Sequence, residues 1–397
     1  MGDPEGPRGR DYGLHGTTTS VFVVTVRVLW LIKGLGPGGA ERLLANAAAV
    51  HHHDRYTIEC GYVLPQKRHL VGELEAADVE CHCLSTRPSD LLWPLRLRRL
   101  IARGNFDVVH FHAPLLAGVG RLAVRTLRRR SRPAIITTEH NAWGTYSTPT
   151  RLLNRFTSRL DDRTFAVSTE AADSMRWPAR GKAEVLHHGI DIHAAQGNLT
   201  DRDDVREEFG LQTDHFVVGT VANYREQKDY PTLLEAARLA SDRMPRFRLV
   251  AVGQGPLANE IDATRTRLGL TENVILPGYR ADAVRVMASF DVFTLSSRYE
   301  GLPVALMEAL ALGLPVASTS VGGVAETLTN EVDALLTPPG DAQALAAAWC
   351  RLGGDASLRD RLSRAALVKS KHFDISRAVE VLESAYDAAA RTRATSR

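Results

Sequence analysis

The amino-acid sequence predicts an α/β protein made of two Rossmann-like, doubly wound domains that face a shared cleft. Three observations carry this. The chain has 397 residues, 44% of them apolar, enough to fill two cores. Short Val/Ile-rich runs alternate with longer Ala/Leu/Arg stretches of helical period, as in parallel sheets with crossover helices. The alternation lapses once, in the polar stretch Asp191–Asp204, and then restarts.

Residues 1–20 are rich in Gly, Arg, Asp and Thr without an apolar run, which predicts a disordered tail and no secretory signal. Val21–Ile32 is broken by Thr25 and Arg27 and is too short to cross a bilayer. It reads as a first, fully buried parallel strand. Tyr56–Leu64, Phe106–Phe111, Ala134–Thr138, Arg163–Val167 and Glu184–His187 continue that sheet, giving a first domain over 21–195. A second domain over 196–374 follows the polar linker, with strands at His215–Ala222, Phe247–Gly253, Asn273–Leu276, Asp291–Leu295 and Pro315–Ser318. The last segment, 375–397, contains a helix over Ile375–Thr392 with Val379, Val381, Leu382 and Tyr386, expected to pack back on the first domain. The chain is expected to be cytoplasmic, or peripheral on the inner face of the plasma membrane.

Charge excludes one class. A net charge of +3, from 49 bases and 46 acids, gives no field for nucleic-acid binding. Cys60, Cys81, Cys83 and Cys350 lack the spacing of a disulfide framework or zinc site and read as reduced core thiols. Three adjacent histidines, His51–His53, cannot converge on one ion and read as a solvated helix end.

Leu31–Arg42, LIKGLGPGGAER, runs from a strand into a helix with Gly34, Gly36 and Gly39 at dinucleotide-fingerprint spacing. That fingerprint requires an acid at the end of the second strand. Glu59 stands at the right distance, but early in a run that ends Val63-Leu64-Pro65, so the fingerprint alone is weak. Ser296–Glu308, SSRYEGLPVALME, says more. Glu300 and Glu308 are eight apart, with Gly301-Leu302-Pro303 opening a helix between them. A helix start of this kind offers free N–H groups and a positive dipole end to a diphosphate.

With Gly313-Leu314-Pro315-Val316 and Val321-Gly322-Gly323-Val324-Ala325-Glu326, this segment resembles the E-x7-E signature of family 4 glycosyltransferases. The resemblance extends from about Val26 to Ser370 and implies the GT-B fold. It implies a retaining glycosyltransferase that moves a sugar from a nucleoside diphosphate sugar to a hydroxyl of a glycan or lipid-linked acceptor. Glu300 would contact the donor sugar and Glu308 the ribose. Gly38 and Gly39 resemble the family's G-G-A-E-R loop, which lies close to donor phosphates or acceptor. Thr138-Glu139-His140-Asn141 places His140 near the transferred sugar. His110 and His112 stay open between strand-end and ligand roles. His187-His188-Gly189-Ile190-Asp191 resembles an N-G-I-D turn with His188 in place of Asn, a structural element.

The loop Val221–Asp229 is similar to the family's phosphate-binding loop. Lys228 matches it directly, while the usual Arg position is Asn223, so Arg225 would supply the charge from a shifted place. Gly253-Gln254-Gly255-Pro256 and Pro277-Gly278-Tyr279-Arg280 are similar to loops around the donor, with Gly253 binding it and Arg280 stacking on the base. Glu300, His140, Lys228 and Arg225 are thus expected to be catalytic. Gly38, Gly39, Gly253, Arg280, Gly301, Leu302, Pro303 and Glu308 complete the donor site. No Asp-x-Asp pair stands at a strand end, so no metal or other cofactor is expected, and cations neutralise the leaving group instead. Sugar, base and acceptor stay open. Leu91–Leu100 and Leu127–Arg132 mix basic and apolar residues, reading either as a solvated face or as a contact with anionic membrane. A GT-B epimerase and a non-catalytic sugar-nucleotide binder are the alternatives.

Overall fold

The computed structural model describes residues 25–175, 181 and 183–395. The expected tail over 1–20, and the expected strand residues 21–24, lie outside the described residues. The first sheet is all parallel, in the order β3-β2-β1-β4-β5-β6-β7. Its strands are β1 (Val26–Ile32), β2 (Tyr56–Tyr62), β3 (Glu80–Cys83), β4 (Val108–Phe111), β5 (Ala134–Glu139), β6 (Arg163–Ala166) and β7 (Ala183–Val185). The second sheet runs β10-β9-β8-β11-β12-β13. It comprises β8 (Phe216–Val221), β9 (Phe247–Val252), β10 (Val274–Gly278), β11 (Val292–Leu295), β12 (Val316–Thr319) and β13 (Leu335–Thr337). Each order reverses beside its first strand, which opens a crevice at the strands' carboxyl ends.

Two strands, β3 and β13, escape the hydrophobic pattern. Both are edges, so they need neither length nor apolarity on two faces. β3 reads Glu-Cys-His-Cys with half-buried or exposed side chains, and β13 has only three residues. The thiols follow from this: Cys60 on the inner strand β2 is buried, but Cys83 on the edge is exposed, so only Cys60 is a core thiol.

β1 separates two cores by alternation. Val28, Trp30 and Ile32 face the helices Gly39–Ala48 and Ile375–Thr395. Leu29 and Leu31 face Trp93–Gly104 and Pro114–Arg125. The helix Ile375–Thr395 therefore lies on the first sheet, although it follows the second domain. Val381 points outward at 43% exposure.

The expected polar linker is not an open coil. Asp191 caps a helix over Ile192–Gly197 by accepting from Ala194 N at 2.8 Å, and a second helix covers Arg202–Glu208. Arg202 and Arg206 both reach Asp291, at 2.5 and 2.9 Å, so this stretch belongs to the second domain's packing. The chain passes between the domains at Ile190 and returns at Asp374. Here Ile190 N donates to Phe373 O (2.8 Å) and Ile375 N to Ile190 O (3.1 Å). A Cβ at Gly189 would lie 2.5 Å from Ile375 N, so the two crossings touch only because that residue is glycine.

Above β4 and β5 stands a row of buried imidazoles. His110 is fully enclosed, with Nδ1 at 2.7 Å from Tyr386 Oη and Nε2 at 2.8 Å from Thr138 Oγ1. Trp30 Nε1 also donates to Tyr386 Oη (3.0 Å). His110 is thus a packed strand-end residue. His112 Nδ1 lies 3.3 Å from His140 Nε2, and His140 stacks on His188 at 5.6 Å. Burial holds His140 at about 3 and His188 at about 4, with His188 adding to the depression of His140 and His187 to that of His188. His51 does not sit on a solvated helix end either: it is buried, and burial lowers it to about 4. Its neighbour His52 joins Glu383 of the last helix, through N (2.8 Å) and Nδ1 (2.7 Å).

Two expectations follow. These histidines stay neutral in the native chain but take up protons in the unfolded chain below about pH 6.5. Stability is therefore complete above that pH and falls with acid, by about 1.4 kcal/mol per pH unit for each histidine, down to about pH 4. Urea titrations between pH 7 and 5 should show a slope shallower by about that amount for His188→Asn. Tyr386→Phe leaves Trp30 N–H and one His110 nitrogen without their partner, so the same denaturation at pH 7 should show a loss of about 1–3 kcal/mol.

Candidate active site

The cleft side of the second domain is built around the turn Glu300–Pro303, between β11 and the helix Val304–Ala311. The turn lies directly on another piece of backbone. A Cβ at Gly322, where φ is +45°, would fall 2.0 Å from Glu300 O, and one at Gly323 would fall 2.0 Å from Gly301 O. The Val321-Gly322-Gly323 sequence is thus the floor that fixes where Glu300 points. Gly301 in turn faces the first domain, where a Cβ would be 2.9 Å from His140 O.

Glu300 is 7% exposed, and its carboxylate is held by three donors. Lys228 Nζ and Ser297 Oγ each reach Oε1 at 2.5 Å, and Gln227 Nε2 reaches Oε2 at 3.3 Å. Lys228 and Gln227 sit on the short turn Glu226–Lys228 after β8. An ammonium has three N–H groups, so pairing with Glu300 leaves Lys228 two donors for a ligand. Asp229 closes the turn at φ +49° and pairs with Arg298 at 3.0 Å. Arg225 is exposed at the start of the turn.

Glu308, one turn into the helix, contrasts with Glu300. It is partly covered, and its carboxylate makes no hydrogen bond to protein among the described residues. Burial raises its carboxyl to about 7, opposed only by the Arg42 charge across the cleft. Arg42 pairs with Glu73 at 2.5 Å.

The facing side comes from the glycine loop. Gly38 caps the helix Gly39–Ala48, and Gly39 comes within 3.8 Å of Val304 at the opposing helix start, measured from an ideal Cβ. A Cβ on Gly38 would meet the Glu41 carboxylate at 2.1 Å, so that side chain folds onto the loop. Burial raises the Glu41 carboxyl, while its own backbone N–H and the charges of Lys67, Arg225 and Lys33 oppose the rise. Of these, Arg225 was expected from sequence, but Glu41, Lys33 and Lys67 were missed, together with Gln227 and Ser297. Lys33 directly follows β1 and Lys67 follows β2 by five residues, so both stand at strand ends facing the cleft. That position was the available signal.

The structure thus gathers Gly38, Gly39, His140, Lys228, Arg225, Glu300, Gly301, Leu302, Pro303 and Glu308 at one cleft. Two expected donor residues stand differently. The Arg280 guanidinium is taken by Asp282 (2.7 and 2.8 Å) and Glu208 (2.5 Å), over the Phe209 ring. Gly253 is required by packing, since a Cβ would lie 2.0 Å from Ala222 O. Among the described residues, the grouping with metal-ligand geometry is Glu59, Glu80 and His82, in β2 and β3 away from the cleft. There Glu59 is already held by Arg27 (2.7 Å) and His82 (2.8 Å). No helix among the described residues is long and apolar enough to cross a membrane.

Both domains resemble known proteins. Residues 37–194 match the family described as "Glycosyltransferase Family 4", and 215–355 match "Glycosyl transferases group 1". The chain is 29% identical over 327 residues to EpsF of Bacillus subtilis (strain 168), covering 78% of this chain and 81% of that one. It is 26% identical over 279 residues to the Escherichia coli "UDP-Gal:alpha-D-GlcNAc-diphosphoundecaprenol alpha-1,3-galactosyltransferase", covering 66% and 70%. The solved structure of Anabaena Alr3699/HepE with UDP-glucose superposes with a TM-score of 0.81 at 22% identity, over 91% of this chain and 99% of that one. With both halves of the chain matched in order around one cleft, it belongs to the family 4 glycosyltransferases of GT-B fold, enzymes that carry a sugar from a nucleotide donor to an acceptor.

Proposed function

We propose that the chain transfers a hexose from a UDP-sugar to a hydroxyl of a lipid-linked glycan, with retention at the anomeric carbon and without a metal. The observation that carries this is the pairing of Glu300 with Lys228 at a helix start, opposite the Gly38–Gly39 loop and His140. The Escherichia coli relative, whose name gives a UDP-sugar donor and a diphosphoundecaprenol-linked acceptor, supports the choice of base and acceptor.

In this reading the donor's pyrophosphate lies between Lys228, Arg225 and the N–H groups that begin Val304–Ala311. Two cations and a helix dipole offset the charge that develops as the anomeric C–O bond breaks. The acceptor oxygen bonds to the anomeric carbon on the face that UDP leaves, and its proton passes to a departing phosphate oxygen. No protein nucleophile takes part. Glu300 accepts from hydroxyls of the transferred sugar, and the neutral His140 donates to them. Glu308 accepts from the ribose, and Gly253 and the backbone of Pro277–Tyr279 line the base. Arg280 keeps its ion pairs and acts on the shape of that loop.

Incubation with UDP-sugars and a lipid-linked acceptor in excess chelator should yield glycosylated product and UDP in equal amounts. Turnover that returns only with added magnesium would contradict metal independence, and a free, altered sugar nucleotide would indicate an epimerase. Glu308→Gln should weaken UDP binding in calorimetry by roughly ten- to a hundred-fold, the cost of about 1–3 kcal/mol for a lost hydrogen bond to a charged acceptor. Since a ribose hydroxyl donates best to the ionised carboxylate, wild-type affinity should fall as pH drops below about 7. The Glu308→Gln variant should remove that dependence. Lys228→Ala should lower kcat by about a hundred-fold, in the range seen when one charge-stabilising donor is removed.

A further inference from the structure

Charge in this chain is far from evenly spread. Between Leu91 and Leu160 there are thirteen arginines and no lysine, against two acids, Asp107 and Glu139. Glu139 is buried, and Asp107 pairs with Arg393 at 2.9 Å. The remaining residues hold 36 of the 49 bases and 44 of the 46 acids. Two of the thirteen arginines are matched by acids that flank the segment, Arg96 by Asp90 and the buried Arg121 by Asp161, and the segment is still strongly positive in a nearly neutral chain.

That segment folds into one face. The helices Trp93–Gly104, Pro114–Arg125 and Thr148–Thr157 pack side by side on the first sheet, on the side opposite the C-terminal helix. Arg98 Nε donates to Thr126 Oγ1 (2.8 Å) across the first pair, and Arg121 Nη1 to Asn154 Oδ1 (2.5 Å) across the second. The same face exposes large apolar side chains: Leu91 at 87%, Leu92 and Leu95 at 55% and Phe156 at 62%, with Leu115 and Leu152 beside them. Leu152 lies mid-helix and Phe156 near the end of Thr148–Thr157, whereas Leu91, Leu92, Leu95 and Leu115 stand at or near the starts of their helices. In a parallel sheet with crossover helices this is the end where the strands finish, the end that faces the cleft. Exposed Arg99, Arg103 and Arg155 lie further along the same helices, and exposed Arg159 in the turn Ser158–Leu160 that follows the last of them.

Exposed leucine and phenylalanine bordered by arginine, with almost no carboxylate, is the chemistry of a surface that inserts shallowly among acyl chains while its cations meet lipid phosphates. We propose that these three helices dock the first domain on an anionic bilayer, apolar helix starts inward, so that the cleft mouth opens at the headgroup level. Docking goes beyond sugar transfer and can fail while transfer stands. An acidic soluble polymer would use the arginines and ignore the leucines.

The test is flotation of the full chain with phosphatidylcholine vesicles, with and without about one-third phosphatidylglycerol, at rising salt. Wild type should float with the anionic vesicles only and be released as salt rises. Arg98→Glu/Arg99→Glu/Arg103→Glu should lose at least about ten-fold in partitioning. Leu91→Ser/Leu95→Ser should lose several-fold with its salt dependence kept. Unfolding midpoint and UDP affinity serve as fold controls for both variants. Equal flotation with uncharged vesicles, absence of flotation, or leucine and arginine variants that partition like wild type would each overturn the proposal. So would full competition by heparin together with an unchanged leucine variant.

Discussion

The cleft exists in its working form because two backbone segments crossing between the domains are hydrogen-bonded to each other. Ile190 and Phe373–Ile375 exchange two bonds, and Gly189 lets them touch. Both crossings are buried, so opening them leaves backbone groups without partners, at a cost of about 1–3 kcal/mol each. On the far side of the cleft the tie is different. Glu326 accepts from Thr169 N (2.9 Å) and Glu170 N (2.8 Å) at an exposed helix start, where water can replace it. One tie is thus buried backbone and the other an exposed carboxylate on two amides. Gly39 with Val304, and Gly301 with His140, are further close approaches between the domains.

Much of this was legible in the sequence, and the reasons differ by element. Inner strands such as β1, β8 and β9 are buried on both faces, so each must be a continuous apolar run, and each was found. β3 and β13 are edges, free of that requirement, and left no trace. The connector after Ile190 read as a linker because it is polar, yet its polarity is what builds it: Asp191 caps one helix, and two arginines pin the next to Asp291. Likewise His51–His53 read as solvated, which holds for the exposed His52 and His53, but nothing local reveals that His51 is buried or that His52 reaches Glu383, more than three hundred residues away.

The site divides along the same line. Glu300, Gly301, Glu308 and the Gly322-Gly323 pair are close in sequence, so one motif displayed them together. Lys33, Lys67 and Glu41 come from the other domain and carry no spacing relative to Glu300; only topology brings them to the cleft. Arg280 shows the opposite failure. A loop position suited to a nucleobase does not disclose that Asp282 and Glu208 already claim the side chain.

What remains is an imbalance inside the site. Glu300 is already held by three donors, one of them the Lys228 ammonium, so it is positioned before any ligand arrives. Glu308 is eight residues away and has no protein donor, and burial drives its carboxyl up to about 7. A carboxylate sunk in apolar helix without a partner is costly, unless something that enters the cleft brings the missing donors. In the function proposed above, that cost becomes discrimination, because a donor lacking correctly placed hydroxyls would leave the acceptor unmatched. One carboxylate is thus completed by the fold and the other only by the ligand, and that difference lets a rigid helix both present a charge and select what it binds.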